Sequence, residues 1–175
     1  MTPRNINLLF CFFLLTSFLS AQHSFGGLPL GISDPSSLLP VPNLRLAGPD
    51  IAGLQAADEE MPTNRFAASQ PVDIDINSHG NWTILEDGRQ VWQLRIRIPE
   101  ARGLLLFYED FNLPEDAKLF VYQPESGQVL GAYTRESQGR SDRFMTGILR
   151  GDVAVIGYQA PADDFTVPFR LWRID

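Results

Sequence analysis

From Trp92 to Ile98 apolar and polar residues alternate without a break: Trp92, Leu94, Ile96 and Ile98 fall on one side, Gln93, Arg95 and Arg97 on the other. A period of two marks a β-strand with one buried face. Burying the four apolar side chains is worth roughly 1.5–3 kcal/mol each, about 6–12 kcal/mol as an upper bound against an extended chain. A slip of one residue would bury two arginines instead, so the register is strongly held. Such a strand needs an opposing apolar layer. Eight further strand patterns supply it: Val72–Ile76, Asn81–Leu85, Leu104–Glu109, Lys118–Gln123, Gln128–Thr134, Arg143–Leu149, Asp152–Tyr158 and Phe165–Ile174. Asp87-Gly88 is the strongest turn signal, both residues tolerating the positive φ of a two-residue hairpin loop. With no long helical period, this pattern predicts an all-β, antiparallel β-sandwich over residues 71–175 with jelly-roll or Greek-key-like connections. Its core candidates are Trp92, Leu94, Ile96, Leu106, Phe120 or Val121, Val155 and Phe169. The buried face of Leu104–Glu109 stays open, because Leu104 to Phe107 are apolar on both sides.

The chain ahead of the strands has a different composition. Met1–Ala21 carries Arg4 in a short basic start, an apolar run from Ile6 to Leu19 and small residues at Ser20 and Ala21, the three parts of a secretory signal cleaved between Ala21 and Gln22. Asn7, Thr16 and Ser17 interrupt the run, which is short of the roughly 20 apolar residues a spanning helix needs. The product is expected to be secreted, periplasmic or at the cell surface, with no membrane segment after cleavage. Cleavage leaves 175 − 21 = 154 residues and removes the only cysteine, Cys11, so the mature chain has neither a disulfide framework nor thiolate chemistry. Losing Arg4 takes the formal charge from −7 to 13 − 21 = −8, which disfavours nucleic acid and acidic partners; solubility accounts for the balance.

Residues 22–70 read as an extended Pro/Gly-rich leader, with Gly26, Gly27, Pro29, Gly31, Pro35, Pro40 and Pro42 breaking any period. Leu38, Leu39 and Val41 favour a strap docked over the domain surface. A short helix near 50–60 is expected, capped by Asp50 and stopped by Asp58-Glu59-Glu60-Met61-Pro62. Gly53 and the acidic C-terminal end weaken it.

Catalytic constellations are missing from the residue inventory. A Ser-His-Asp relay needs a histidine, and beyond the signal there are only His23, in the leader, and His79, in the turn Asn77-Ser78-His79-Gly80. No histidine pair or mature cysteine offers a metal site, and no Gly-rich phosphate loop opens a helix. Asp73 and Asp75 share one face of a strand, which reads as a solvated face before it reads as a calcium site. No cofactor and no enzymatic activity are expected. Asn81-Trp82-Thr83 fits a glycosylation acceptor but overlaps a strand start. Trp82, Trp92 and Trp172 could form a platform for carbohydrate, although Trp92 is phased with the core.

One longer pattern points to a family. Trp92-x-Leu94-x-Ile96, then Ala101, the leucines leading to Phe107 and Phe111, Leu113-Pro114 and Ala117-Lys118-Leu119-Phe120-Val121-Tyr122 are flanked by Gly80-Asn81-Trp82 and Gly131-Ala132-Tyr133-Thr134. Together, over about Asp58 to Pro161, they resemble the pro-region of secreted lysyl-endopeptidase-like, trypsin-like bacterial serine proteases. The match is a spacing of apolar residues and includes no catalytic motif. Lys118 is the only lysine beside thirteen arginines, as suits a partner of a lysine-specific protease and equally an arginine-preferring genome. The resemblance implies a non-catalytic module that assists folding of a serine-protease domain and inhibits it, the protease beginning after Asp175 and this chain being a fragment of the precursor.

On that reading the final strand is the contact. Pro168 cannot donate to a ladder and so marks an edge, and Phe169, Arg170, Trp172 and Arg173 are the anchors nearest the junction. An ordinary C-terminal edge strand is the alternative for the strand. For the chain, the alternative is an extracellular carbohydrate- or protein-binding sandwich of the adhesion kind.

Overall fold

The computed structural model describes residues 24–62, 64–139, 141–162, 164 and 166–175. Ala21, Gln22, His23 and Phe165 lie outside them. The organising strand forms as its alternation requires. β4 (Gln90–Arg97) is antiparallel along its full length to β11 (Val153–Ala160), followed by β7 (Lys118–Tyr122) and β8 (Val129–Tyr133). Its other edge is shared. β3 (Asn81–Ile84) pairs antiparallel with the first half, and β1 (Asn43–Arg45) pairs parallel with Arg95–Arg97. The facing sheet has four strands, β2 (Gln70–Asp75), β12 (Arg170–Ile174), β6 (Leu106–Glu109) and β9 (Phe144–Met145), in that order. A ribbon of β5 (Gly103–Leu104) and β10 (Leu149–Arg150) completes an all-β sandwich. Only β3–β4 and β7–β8 are neighbours both in chain and in sheet; the other connections cross.

Trp92, Leu94, Ile96 and Ile98 enter the core between the sheets with Ile156 and Tyr158 of β11, meeting Ile74, Leu106, Tyr108, Leu171 and Ile174 from the opposite layer. Phe169 sits between the layers. Its ring lies 6.0 Å from Trp92 and 5.5 Å from Tyr158 on one side and 5.4 Å from Tyr108 on the other, mostly edge to face. On β7, Val121 faces this core and Phe120 the opposite side; Val155 also belongs to the opposite side.

That opposite side, the outer face of the six-stranded sheet, is covered by the leader. Phe120, Tyr122, Ala132 and Val155 form a second apolar cluster beneath Ile32 and Val41. At one end Phe25 N–H donates to Ala132 O and Ala132 N–H to Gly26 O; at the other, Arg95 N–H donates to Pro42 O and Leu46 N–H to Arg97 O. Between them runs α1 (Leu30–Ser33), where Gly31 lies against the Tyr122 hydroxyl and Gln93. This strap explains why Gln93, on the nominally outer side of β4, is buried. Leu39 remains exposed, while Leu44 and Leu46 reach the main core. α2 (Ile51–Glu60) is capped by Asp50, whose carboxylate accepts from Gly53 N–H at 3.0 Å, and buries none of its residues.

Two details differ from the sequence reading. Between β3 and β4 only Gly88 takes positive φ, at 85°, giving a three-residue loop closed by Leu85 and Arg89 in place of a two-residue one. The final strand is not an edge. β12 starts at Arg170, past Pro168, and is paired on both sides, with β2 and β6. Its backbone groups are therefore used within the sheet.

Candidate protein-binding groove

Among the described residues, the strap's hydrogen bonds and apolar contacts all go to the six-stranded sheet and the core, none to the outer face of the four-stranded sheet. Along β12, Arg170 projects from it, its Nε 2.7 Å from Asp73 and its Nη1 3.6 Å from Glu109. The hydrogen bond from Arg170 holds the Asp73 carboxyl below its ordinary range. The ladder register then shifts between Leu171 and Arg173, so that Leu171 and Ile174 are both buried while Trp172 and Arg173 are left half-buried between them.

These two side chains build the groove with Phe107 and Arg143. The Arg173 guanidinium carbon sits 3.8 Å above the Phe107 ring and 5.3 Å from Trp172, and Arg143 covers Trp172 at 5.4 Å. Phe107 and Trp172 meet at 6.4 Å and 67°. The result is a ladder, Phe107–Arg173–Trp172–Arg143, in which cations alternate with ring faces. Arg173 is neutralised at its far side, donating from Nη2 to Asp175 at 2.9 Å, with Nε 2.8 Å from the other carboxylate oxygen. The space in front of the ladder is an open groove of about 530 Å³, walled by Met145 and by the loop at Gln138 and Gly139.

Of the four anchors expected from sequence, Trp172 and Arg173 line this groove and Arg170 lies beside it on the same face. Phe169 is the exception. It is 1% exposed and makes the inter-sheet contacts described above, because the alternation that places Leu171 inward places Phe169 there too. Phe107 and Arg143 complete the ladder without having been singled out. Phe107 shares strand parity with Glu109, and that charge was the available signal for an outward face; nothing marked Arg143.

The titratable residues that sequence analysis weighed for catalysis are engaged otherwise. Asp75 accepts from Asn77 N–H at 2.8 Å and from the Ser78 hydroxyl, which also contacts His79 Nδ1 at 2.9 Å. Asp, Ser and His are thus adjacent, but the serine stands between the other two and gives its proton to the carboxylate, an arrangement without the base-to-nucleophile relay of hydrolysis. Asp73 accepts a hydrogen bond from Arg170 Nε at 2.7 Å. Trp82 packs on Tyr158 at 6.0 Å and Trp92 donates its N–H to His79 O, so only Trp172 of the three contributes to the groove. Among the described residues no group of three or more His, Cys, Asp or Glu could hold a metal ion, and no helix is long and apolar enough to cross a membrane. No family model matches the chain.

Proposed function

We propose that this chain is the exported, non-catalytic β-sandwich of a serine-endopeptidase precursor, binding the protease domain through the outer face of its four-stranded sheet. In that role it assists folding of the protease and keeps it inactive until cleavage. One observation carries the choice of surface. The leader covers one outer face of the sandwich, whereas the other displays an open groove with aromatic and arginine side chains, the residue types that anchor protein interfaces. The family resemblance over about Asp58 to Pro161 supplies the partner's identity. A domain covalently attached to its partner acts at an effective concentration near millimolar, so a modest interface is filled before cleavage and emptied after it.

The test is a titration of residues 22–175 against the serine protease secreted by the same cell, with circular dichroism establishing that the domain is folded. Saturable inhibition that weakens on Trp172→Ala is expected. Neither binding nor inhibition at about 100 μM would overturn the proposal. Retention on a glycan surface instead would identify a carbohydrate-binding module. Against that outcome, the Phe107 ring face that a sugar would need is already occupied by Arg173.

A further inference from the structure

Resting on the reading that the partner sits on this face, we infer that the Arg143 end of the ladder is a carboxylate site, and that the segment entering the groove is an acidic stretch of a polypeptide. The two arginines are not equivalent. Arg173 lies between two rings, and its charge is met by Asp175, whose side chain is only 9% exposed. Arg143 is exposed at the ladder's end, and no carboxylate of the described residues lies within ion-pair distance of it. An exposed guanidinium that rests against an indole still presents N–H groups to solvent, and a carboxylate can meet them in a two-pronged bond. Contact with the ring restricts the side chain, so less rotamer freedom is lost when the acid arrives.

The chain as a whole carries −7, which opposes an acidic partner at long range. At physiological salt that repulsion is screened beyond about 8 Å, while a pair in direct contact is screened less. A carboxylate therefore prevails locally. A polyphosphate does not fit this site, since it needs several uncompensated cations in a row and Arg143 is flanked by one already neutralised. Phe107 and Met145, paired across β6 and β9, give the same groove an apolar wall, so an alternating acidic and aliphatic strand suits it better than an isolated charge.

Two acetylated, amidated peptides test this, one alternating valine with glutamate and the other valine with glutamine. Each is titrated into the intact exported chain by calorimetry and tryptophan fluorescence. The glutamate peptide is expected to bind about tenfold tighter, and the margin to shrink as salt rises from about 0.05 to about 0.5 M. Arg143→Gln should erase the preference with thermal unfolding unchanged, and Arg143→Lys should keep part of it. Equal affinity for the two peptides, or no saturation with either, overturns the inference. Protease titrations separate it from the broader reading. If the protease binds wild type and Arg143→Gln alike, the carboxylate site is wrong and the pro-region role stands. If the acidic peptide binds through Arg143 while the protease does not bind, the carboxylate site stands and the pro-region role fails.

Discussion

Gly31→Ala tests the seating of the leader on the sandwich. Gly31 lies in α1 with negative φ, so its backbone admits alanine, and at an open site the change would stabilise by about 0.4–1 kcal/mol through the unfolded chain. Here a methyl group would collide with the Tyr122 hydroxyl and sit 2.6 Å from Gln93 Nε2 and 3.1 Å from Tyr122 Cζ. Tyr122 and Gln93 are 3% exposed and hydrogen-bonded to each other at 3.2 Å, so neither yields freely. Overpacking of this kind costs roughly 1–3 kcal/mol. Lifting the strap caps the loss, because Ile32 and Val41 are only partly buried and contribute about 2–3 kcal/mol together.

The net expectation is about 1–2 kcal/mol of destabilisation, a fall of roughly 2–8 °C in Tm for a domain of this size. Tyr122→Phe removes the colliding oxygen, so in the double variant the two changes should couple favourably by about 0.5–1.5 kcal/mol. Thermal unfolding followed by circular dichroism reads the cycle, and limited proteolysis shows whether residues 24–46 have become accessible. A Tm that rises in Gly31→Ala, with no coupling to Tyr122→Phe, would refute the strap.

Ile96→Asp places an unpaired carboxylate at a fully buried position of β4 and should cost more than about 4 kcal/mol, read by urea unfolding; unchanged stability would mean the strand's phase is wrong. Tyr108 is wholly buried with no hydrogen-bond partner among the described residues, so Tyr108→Phe should be neutral or stabilising by up to about 1 kcal/mol in the same assay. Burial also raises its pKa well above the ordinary value: the tyrosine's share of stability is complete below pH of about 10 and is lost as pH climbs towards the folded-state value, so the variant should show a shallower alkaline limb. The hydrogen bond from Arg170 lowers the Asp73 pKa, which has the opposite sense: its share is present above pH of about 4 and is lost as pH falls through the depressed value, a slope that Asp73→Asn should reduce in acid titrations. Arg173→Ala should be more disruptive than Arg173→Ala with Asp175→Asn, because the first leaves a nearly buried carboxylate without its cation; equal losses in thermal unfolding would contradict the pairing.

β4 was legible because from Trp92 to Arg97 its inward residues are uniformly apolar and its outward ones uniformly polar. Its outer face was less so. Gln93 is buried by a strap whose prolines and glycines carry no period, and only the leucines and Val41 hinted that it docks. The Asp50 cap could be read directly, since that residue type before a short Ala- and Leu-bearing run has one common use. β6 could not be phased from Leu104-Leu105-Leu106-Phe107, because apolar residues on both sides of a strand give alternation nothing to act on. β12 was misplaced for a different reason. The apolar alternation runs through Pro168 although the strand begins only at Arg170, and the register shift after Leu171 is a property of three strands meeting that no single stretch encodes. The ladder is the least legible feature, since Phe107, Arg143 and Trp172 come from three distant segments and meet only through the β6–β9 and β6–β12 pairings.

The energetics of the ladder bear on why such a feature would sit on an exposed sheet face. An exposed cation–π contact is worth about 0.5–1 kcal/mol, while ordering an arginine side chain costs up to about 2 kcal/mol of rotamer freedom. Arg173 offsets that cost through two rings and the Asp175 carboxylate. Arg143, with one ring and no ion pair, gains little for the free domain by holding its position over Trp172. That contact does little to stabilise the sandwich, and its value lies in what it spares a ligand: a partner carboxylate meets a guanidinium already restricted by the ring. The strap has the reverse character, since Ile32 and Val41 bury apolar surface that the domain could not leave exposed. One outer face is thus committed to stability and the other left free, and substitutions of Arg143 should change binding while leaving the strap, the core and the unfolding midpoint as they were.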